Sequence, residues 1–144
     1  MAGDADGFLT YTGAFYPRDC DHMGHVNVAA YGAKFDEANW VFFCRIGLTP
    51  TYLRGERFGM AGVQQNFSYS RELFAGDVVE IRSHLLEFGE KRLRLRHDLH
   101  TIDQRVLAAF CELTAVHLDK AAHRSCPFPP EIRRIAETMV AAAR

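Results

Sequence analysis

The sequence predicts one α+β domain over residues 1–144, in which a long early helix is combined with an antiparallel sheet. Its 144 residues, of which 48% are hydrophobic and 24% charged, fit a single globular domain with a substantial core. Apolar residues recur at helical spacing in one long early segment, and four runs with strand character follow it. The resulting order, β-α-β-β-β-β-α, is typical of the α+β class.

The chain is expected to begin with a strand and a loop. Residues 8–18 are rich in aromatic and β-branched side chains, which favour strands. Pro17 is expected to end the strand, because proline has no backbone N–H to donate to a neighbour. The next residues, DCDHMGH at positions 19–25, form a polar loop that leads into the long helix.

The long helix is predicted to run from Val28 to about Ile46, with Asn27 as N-cap and Gly47 as the C′ residue. Apolar residues follow helical periodicity along one face, at Val28, Tyr31, Phe35, Ala38, Phe42 and Ile46. The other face is also largely apolar, at Ala30, Trp40, Val41 and Phe43. A surface helix would carry a broad polar stripe there, so we expect this helix to be wrapped on most of its sides.

Four strands are predicted next, at residues 61–73, 78–88, 91–102 and 105–118. The third shows the clearest alternation, with leucines on one face and charged residues between them, which indicates a sheet with one buried face. Gly76 with Asp77, and Gly89 with Glu90, predict turns between consecutive antiparallel strands, since hairpin turns need residues that tolerate a positive φ. Residues 129–143 predict a short amphipathic helix at the end of the chain.

Composition narrows the classes of partner. A net charge of −1 and a pI near 6.6 provide no bulk attraction to nucleic acid or to anionic lipid, so we expect a small-molecule partner. The four cysteines are far apart in sequence and form no C-x-x-C pair, which suits reduced thiols in the cytosol. The N-terminus lacks the pattern of a signal peptide, and no apolar run approaches the roughly 18 residues that span a bilayer. A cytoplasmic protein without a membrane segment is therefore expected.

The densest group of reactive side chains lies in the loop before the long helix, where Gly24 allows close backbone approach. The group consists of Asp19, Asp21, His22 and His25. The start of a helix presents unpaired N–H groups and the positive end of the helix dipole, which stabilise an anion or a polarised carbonyl oxygen. The same four side chains could instead bind a metal. They are crowded into one short loop without further ligands such as H-x-x-x-H, so no metal site and no cofactor is predicted.

The motif RDCDHMGHVN at residues 18–27, followed by Tyr31, resembles the signature of the 4-hydroxybenzoyl-CoA thioesterase-like branch of the hotdog superfamily. The resemblance implies a hotdog fold, in which a five-stranded antiparallel sheet wraps a long central helix, and the hydrolysis of an acyl-CoA. It also implies that Asp21 acts on the thioester as nucleophile or as general base for water, and that the backbone N–H of Val28 holds the carbonyl oxygen. A homodimer or a dimer of dimers is implied as well, with each acyl site at a subunit interface.

The sequence departs from this family pattern at one position and offers two rival carboxylates. Val28 stands where many relatives carry a second asparagine or an aromatic residue, which leaves the acyl specificity open. Another subgroup of hotdog enzymes places its acid on the central helix, where this chain has Asp36 and Glu37. Asp21 ranks above them, because acids on a helix are usually solvated.

The remaining expectations concern pocket residues. His25 is expected to hydrogen-bond the carboxylate or shape the pocket, Asn27 to position water or cap the helix, and Tyr31 to lie in the core or in the pocket. Phe35, Trp40, Phe42 and Phe43 could line an acyl pocket or belong to the core. Lys91 is the preferred contact for the phosphates of coenzyme A among the basic residues Arg54, Arg57, Arg71, Lys91 and Arg92.

Two other functions remain open from the sequence alone. One is a hotdog domain that binds acyl-CoA without turning it over. The other is a hydratase or dehydratase acting on an enoyl thioester, for which Asp21 and His25 could supply an acid and a base.

Overall fold

A computed structural model describes residues 7–142 and shows one antiparallel sheet with a long helix against one of its faces. The strands are β1 (Phe8–Ala14), β2 (Phe58–Tyr69), β3 (Val78–Phe88), β4 (Arg92–Thr101), β5 (Leu107–Asp119) and β6 (Arg124–Ser125). The helices are α1 (Val28–Arg45), α2 (Pro50–Arg54) and α3 (Pro130–Ala142), with a single 3-10 turn at Pro17–Asp19. The α+β class and the antiparallel sheet are confirmed. The predicted end of the last helix, at residue 143, lies outside the described residues.

The strand order is β1-β3-β4-β5-β2, and the two-residue β6 pairs with β5. The turn at Gly89 joins the neighbouring strands β3 and β4 as predicted, although Gly89 itself does not adopt a positive φ. The hairpin predicted at Gly76 is wrong, because β2 pairs with β5 and β3 pairs with β1. Gly76 has a φ of 95°, so the turn itself forms, but the chain there crosses between opposite halves of the sheet.

Both ends of α1 are fixed by local hydrogen bonds. The Asn27 side chain accepts the Ala30 N–H at 2.9 Å, which confirms the predicted N-cap. At the other end Gly47 has a φ of 98°, and the Leu48 N–H donates to the Phe43 carbonyl at 2.9 Å. This is a Schellman motif, which satisfies carbonyls that the helix leaves unpaired.

The core lies between α1 and the inner face of the sheet. On β4 the alternation holds, since Leu93, Leu95 and Leu99 are fully buried and His97 occupies the inward position between Leu95 and Leu99. The buried residues of α1 recur at helical spacing, namely Tyr31, Phe35, Ala38, Asn39, Phe42 and Phe43.

The expectation that α1 is wrapped on most sides is wrong for a single chain. Val28 and Trp40 are 60% and 50% exposed, and Val41 is exposed as well. The sheet covers only one side of the helix, so the apolar residues on the other side find no cover among residues 7–142. These apolar side chains stay exposed in the single chain, which bears on the oligomeric state discussed below.

Several element boundaries differ from the prediction. The first strand ends at Ala14 rather than near Pro17, which instead opens the 3-10 turn. The strand predicted at residues 61–73 is Phe58–Tyr69. Helix α2 occupies a segment for which a loop was expected. Within residues 7–142, no helix has both the length and the apolar character needed to cross a membrane.

Candidate functional site

The loop before α1 is a short hairpin. Cys20 and Val26 form an antiparallel bridge, and the Asp21 N–H donates to the His25 carbonyl at 3.1 Å. Gly24 has a φ of 87°, a conformation that favours glycine, and its N–H donates to the Asp21 carbonyl at 3.0 Å. The tip formed by residues 21–25, here called the Asp21 loop, is therefore held in a defined position directly before the helix.

This loop is attached to the segment that follows β2. The Val26 N–H donates to the Leu73 carbonyl at 2.8 Å. A cavity of about 370 Å³ opens between the Asp21 loop, the first turn of α1 and the end of β2. It is lined by His25, Val26, Val28, Tyr31, Tyr69, Ser70, Arg71 and Glu72. Below it is called the Tyr31 cavity.

The first turn of α1 offers free hydrogen-bond donors beside this cavity. Asn27 caps the Ala30 N–H, whereas the N–H groups of Val28 and Ala29 have no acceptor among residues 7–142. Free N–H groups at the start of a helix of 18 residues carry the positive end of its dipole. A carbonyl oxygen that gains negative charge is stabilised at such a position.

Two tyrosines form an aromatic wall of the Tyr31 cavity. The ring centroids of Tyr31 and Tyr69 are 5.1 Å apart with an interplanar angle of 64°, and Phe15 packs behind Tyr31 at 5.7 Å. The Tyr31 hydroxyl donates to the Arg71 carbonyl at 3.5 Å. Burial, reinforced by the nearby Tyr69, raises the pKa of Tyr31 to about 12, so this hydroxyl stays protonated.

The charged groups at the cavity are few. His25 Nε2 lies 3.8 Å from a carboxylate oxygen of Glu72, whose side chain is mostly exposed, and His25 Nδ1 lies 3.3 Å from the Val26 carbonyl oxygen. The carboxylate of Asp21 accepts the Met23 N–H at 2.9 Å rather than a hydrogen bond from His25. The expected pairing of His25 with that carboxylate is therefore not formed in this chain.

The structure brings together part of the predicted site. His25, Val28 and Tyr31 line the Tyr31 cavity, while Asp21 and Asn27 lie in the adjoining loop and helix cap. Lys91 lies at the other end of the sheet, where its carbonyl accepts the N–H of His117.

The rival carboxylates lie elsewhere. Asp36 and Glu37 are exposed on α1, and Asp36 accepts the Trp40 ring N–H at 3.3 Å. The helix rises about 1.5 Å per residue, which places Asp36 about 12 Å along the axis from Val28. Neither acid lines the Tyr31 cavity.

Of the two places left open for the aromatic residues of α1, acyl pocket or core, the structure decides for the core in three cases. Phe35, Phe42 and Phe43 are buried in the core, and Trp40 is exposed on the far side of α1. The missed cavity residues are Tyr69, Ser70 and Glu72. The sequence holds one signal for Tyr69, since Phe67 and Tyr69 are aromatic residues on the same side of an exposed strand.

The side chains considered as metal ligands in the loop before α1 are not arranged as a metal site. Within the described range 7–142, no three His, Cys, Asp or Glu side chains come close enough to hold a metal ion. Asp19 instead accepts the Tyr16 N–H at 2.8 Å, and His22 is exposed. Of the five basic residues considered for phosphate binding, Arg71 lines the Tyr31 cavity.

Comparison with known proteins places the chain in a family. The model described as the Thioesterase-like superfamily matches residues 15–135. This chain belongs to the Thioesterase-like superfamily. The resemblance to hotdog-fold thioesterases is thereby confirmed, and so is the predicted enzyme class, an acyl-CoA thioesterase, at the level of the family.

Two proteins named as thioesterases are similar to the chain over most of its length. The betainyl-CoA thioesterase of Pseudomonas aeruginosa is 27% identical over 135 residues, which cover 94% of this chain and 85% of that protein. The L-carnitine dehydrogenase/betainyl-CoA thioesterase of Agrobacterium fabrum is 28% identical over 114 residues, which cover 79% of this chain but only 23% of that longer protein.

Among solved structures, a Staphylococcus aureus protein in complex with CoA has the same fold. The two structures superpose with a TM-score of 0.88 at 21% sequence identity, over 96% of this chain and 87% of the other. At this level of identity the likeness establishes the fold alone.

Proposed function

We propose that the chain hydrolyses an acyl-CoA thioester to the free acid and coenzyme A in the Tyr31 cavity. The observation that carries this proposal is the free N–H of Val28, at the start of a long helix and beside a cavity that Val28 itself lines. A donor fixed in this way is suited to the oxyanion that forms when a thioester carbonyl is attacked. Membership of the superfamily supports the same reaction.

In the proposed mechanism the Val28 N–H takes part in no proton transfer and in no bond change. It stabilises the negative charge on the carbonyl oxygen. The carboxylate of Asp21 either attacks the carbonyl carbon or removes a proton from an attacking water. The carbonyl oxygen becomes an oxyanion near the Val28 N–H, a type of contact worth about 3 kcal/mol in enzymes where one donor has been removed. The C–S bond then breaks, and the CoA thiolate leaves and takes up a proton. When a water attacks, the free acid forms directly; when Asp21 attacks, the acyl group stays on Asp21 as an anhydride, which water cleaves to the acid and the free carboxylate.

The neighbouring residues position these groups. The Met23 N–H holds one oxygen of Asp21, and Asn27 fixes the first turn of α1 by capping it. His25 is the last residue of the Asp21 loop and lines the Tyr31 cavity, where it shapes the route from Asp21 to the cavity.

The cavity favours a compact acyl group. A volume of about 370 Å³ beside Tyr31 and Tyr69 has room for such a group. The two relatives named for betainyl-CoA support a short acyl group as well. All four cysteines are free, which supports the cytoplasmic location that we propose for this activity.

We propose further that the active form is a homodimer, or a dimer of dimers built from it. β2 is an edge strand of 12 residues whose outer edge has no partner strand among residues 7–142, and it exposes Val63, Phe67 and Tyr69. An open strand edge with exposed apolar residues is a pairing site for another chain. The exposed apolar side chains of Trp40 and Val41 on α1, which the sheet leaves uncovered, support the same conclusion.

Pairing of β2 with β2 of a second subunit about a two-fold axis accounts for the distance between Lys91 and the cavity. Across the sheet, Lys91 lies level with Met60 near the start of β2, whereas the cavity lies at Tyr69, nine residues or about 30 Å further along. Antiparallel pairing of two β2 strands brings the start of one beside the end of the other. Lys91 of the partner subunit then lies at the same end of the joint sheet as the cavity, where it can meet the phosphates of coenzyme A.

The reaction is tested by measuring free-thiol release from a panel of acyl-CoAs with the wild type, Asp21→Asn and Asp36→Asn. The two substitutions remove the same charge at the loop and on the exposed face of α1. We expect Asp21→Asn to lower kcat by about 10³-fold or more, as removal of a group that acts in the transition state does, and Asp36→Asn to retain activity within about twofold. Full activity of a folded Asp21→Asn protein would exclude the proposed role, and release of no thiol from any substrate would favour a binding domain.

The dimer is tested by sedimentation with Val63→Lys, which places a charge on the open edge of β2. We expect the mass to fall to that of one chain and the KM for acyl-CoA to rise, because the site loses Lys91 of the partner subunit. Val78→Lys replaces a valine on β3 that is also exposed, at 47% against 60% for Val63, and should leave the mass unchanged. A wild-type protein that is monomeric yet active would contradict the shared site.

A further inference from the structure

We infer that Gln65 of the partner subunit forms part of the wall of the Tyr31 cavity, beside Tyr69, and limits the size of the acyl group. This inference rests on the thioester hydrolysis and on the pairing of two β2 strands proposed above. It assigns a specificity residue to the site and makes that site incomplete in a single chain.

The Tyr31 cavity lacks a wall on the side of β2. Among the side chains that line it, Val28 is 60% exposed and Tyr69 is 45% exposed. β2 is the last strand on this side of the sheet, and its outer edge has no partner strand among residues 7–142. A ligand pocket normally buries most of the surface of its ligand, so a further group is expected on this side.

Alternate side chains of β2 point to the same side of the sheet as α1. Tyr69 and Phe67 each pack on an aromatic ring of α1, with ring centroids 5.1 and 6.0 Å apart. Gln65 is the next residue in this row and lies opposite the buried Leu113 of β5. Side chains alternate between the two faces of a strand, so the neighbouring Gln64 points to the outer face.

Gln65 does not reach the Tyr31 cavity of its own chain. It lies four residues from Tyr69, which is about 13 Å along the strand, and the ring of Phe67 stands between them. The side chain is exposed, and the one donor near its oxygen among residues 7–142 is the weakly donating thiol of Cys111, at 4.0 Å. The amide is therefore free to contact a second subunit.

The straight part of β2 limits how two copies can pair. A bulge lies between Gly62 and Gln64, so the regular ladder runs from Gln64 to Tyr69. A two-fold axis perpendicular to the sheet keeps both α1 helices on one side, and directly opposite residues of an antiparallel pair share a face. Inner-facing residues must therefore meet inner-facing residues. At most five residues of this ladder can then pair, and two registers reach that number.

Both registers bring Gln65 of the partner subunit to the open side of the cavity. In one it lies directly opposite Tyr69, and in the other it lies opposite Phe67 and diagonal to Tyr69. The Cβ atoms of directly opposite residues are about 5 Å apart, and diagonal neighbours at about 7–8 Å are still within reach of a long side chain. The partner's Gln65 thus closes the wall beside Tyr69 and presents its amide to the acyl group.

Substitutions of neighbouring glutamines test the wall. Gln65→Trp fills the space and should lower kcat/KM for butyryl-CoA about tenfold or more, whereas Gln64→Trp, on the outer face of the same edge, should keep it within about twofold. Both residues are exposed, and sedimentation should show the wild-type mass for both variants. Gln65→Ala enlarges the cavity and should raise the ratio of kcat/KM for octanoyl-CoA to that for butyryl-CoA about tenfold. An unchanged ratio would overturn the role of Gln65 in limiting acyl size.

A hybrid oligomer shows in which subunit Gln65 acts. Two full-length chains, one with Asp21→Asn and one with Gln65→Trp, are co-expressed with different affinity tags and purified by both tags in turn. With Gln65 acting across the interface, the Gln65→Trp subunit keeps its own Asp21 and receives an unchanged glutamine from the other subunit. One of its two sites is then intact, so the hybrid should show about half of the wild-type kcat, although each parent alone is impaired.

Binding measurements separate this inference from the function on which it rests. In the Asp21→Asn background, calorimetry with butyryl-CoA measures the contact without turnover; Gln65→Trp should raise the Kd about tenfold, and Gln64→Trp should keep it within about twofold. A hybrid no more active than its parents, or a Kd that Gln65→Trp leaves unchanged, would overturn the inference and leave thioester hydrolysis standing. Failure of the wild type to release thiol from any acyl-CoA would refute the proposed function, while the Kd values would still decide the role of Gln65.

Discussion

A series of hydrogen-bonded buried side chains, here called the buried polar chain, connects the middle of α1 to the sheet. It contains His97, whose titration predicts how the stability of the protein depends on pH. Asn39 Oδ1 accepts from His97 Nε2 at 2.5 Å, because an amide oxygen can only accept. The Ser83 hydroxyl therefore donates to His97 Nδ1, also at 2.5 Å, and Thr10 Oγ1 lies 2.7 Å from Ser83 Oγ. Ser83 and His97 are 0% exposed, so water does not reach this chain of bonds.

The size of the change in the free energy of unfolding with pH follows from the pKa of His97. Burial lowers this pKa from its ordinary value of 6.5 to about 3, so the folded protein keeps the ring neutral where the unfolded chain protonates it. The stabilising contribution is thus complete above pH 6.5 and is lost as the pH falls from 6.5 towards 3. Each unit in this window costs about 1.4 kcal/mol, so His97 lowers the free energy of unfolding by about 2.7 kcal/mol at pH 4.5.

The assay is urea unfolding at pH 7.5 and pH 4.5, at one protein concentration, for the wild type and His97→Gln. Glutamine keeps a donor and an acceptor at this position but does not titrate. All other titrating groups are shared, so the wild type should lose about 2.7 kcal/mol more than the variant between the two pH values. Equal losses in both proteins, within about 0.5 kcal/mol, would refute the assignment of a neutral buried His97 as the cause.

Three substitutions test other contacts. Asn27→Ala removes the cap on the Ala30 N–H and should cost about 1 kcal/mol in urea unfolding, where an unchanged midpoint would contradict the capping role. Tyr52→Phe removes the hydroxyl 2.7 Å from buried His117 Nε2 and should cost about 1–3 kcal/mol by the same measurement; a more stable variant would count against a real hydrogen bond. Gly24→Ala forces a side chain onto a φ of 87°, at a cost of about 1–2 kcal/mol. Because the strain falls on the Asp21 loop, kcat for thiol release should fall even in protein that is still folded. An unchanged kcat would contradict a role of the loop in catalysis.

The ends of α1 could be predicted because the residues that signal them lie next to them in the sequence. Asn27 and Gly47 act within one turn of the residues they cap, so the bounds of α1 were readable from the sequence. The pairing of β2 with β5 was not, because a turn signal at Gly76 shows that the chain reverses but not which strand it meets. Helix α2 does have a local signal, since Thr49 caps it and Pro50 opens it, but its five residues are too few to show a period.

The candidate site, too, could be predicted only where its residues lie close together in the sequence. His25, Val28 and Tyr31 lie within one loop and two turns of helix, so one motif contains them all. Tyr69 and Glu72 come from a segment about 40 residues further along, which the bond from Val26 to Leu73 brings to the helix. No spacing in the sequence encodes that bond. The alternation of β4 did hold a signal for His97, which occupies an inward position among leucines.

The buried polar chain also fixes the position of the N-terminal end of α1. Asn39 lies between two hydrophobic clusters, one around Tyr31 and Phe35 and one around Phe42 and Ile46. Apolar contacts alone tolerate a helix that slides or turns slightly, whereas the bond from Asn39 to His97 does not, because either partner would be left buried without a hydrogen bond. Eleven residues separate Asn39 from Val28, so fixing the middle of the helix fixes the N–H of Val28 against the sheet that carries Tyr69. The proposed oxyanion site and the aromatic wall therefore keep one relative position, which holds a bound thioester carbonyl against its proposed donor.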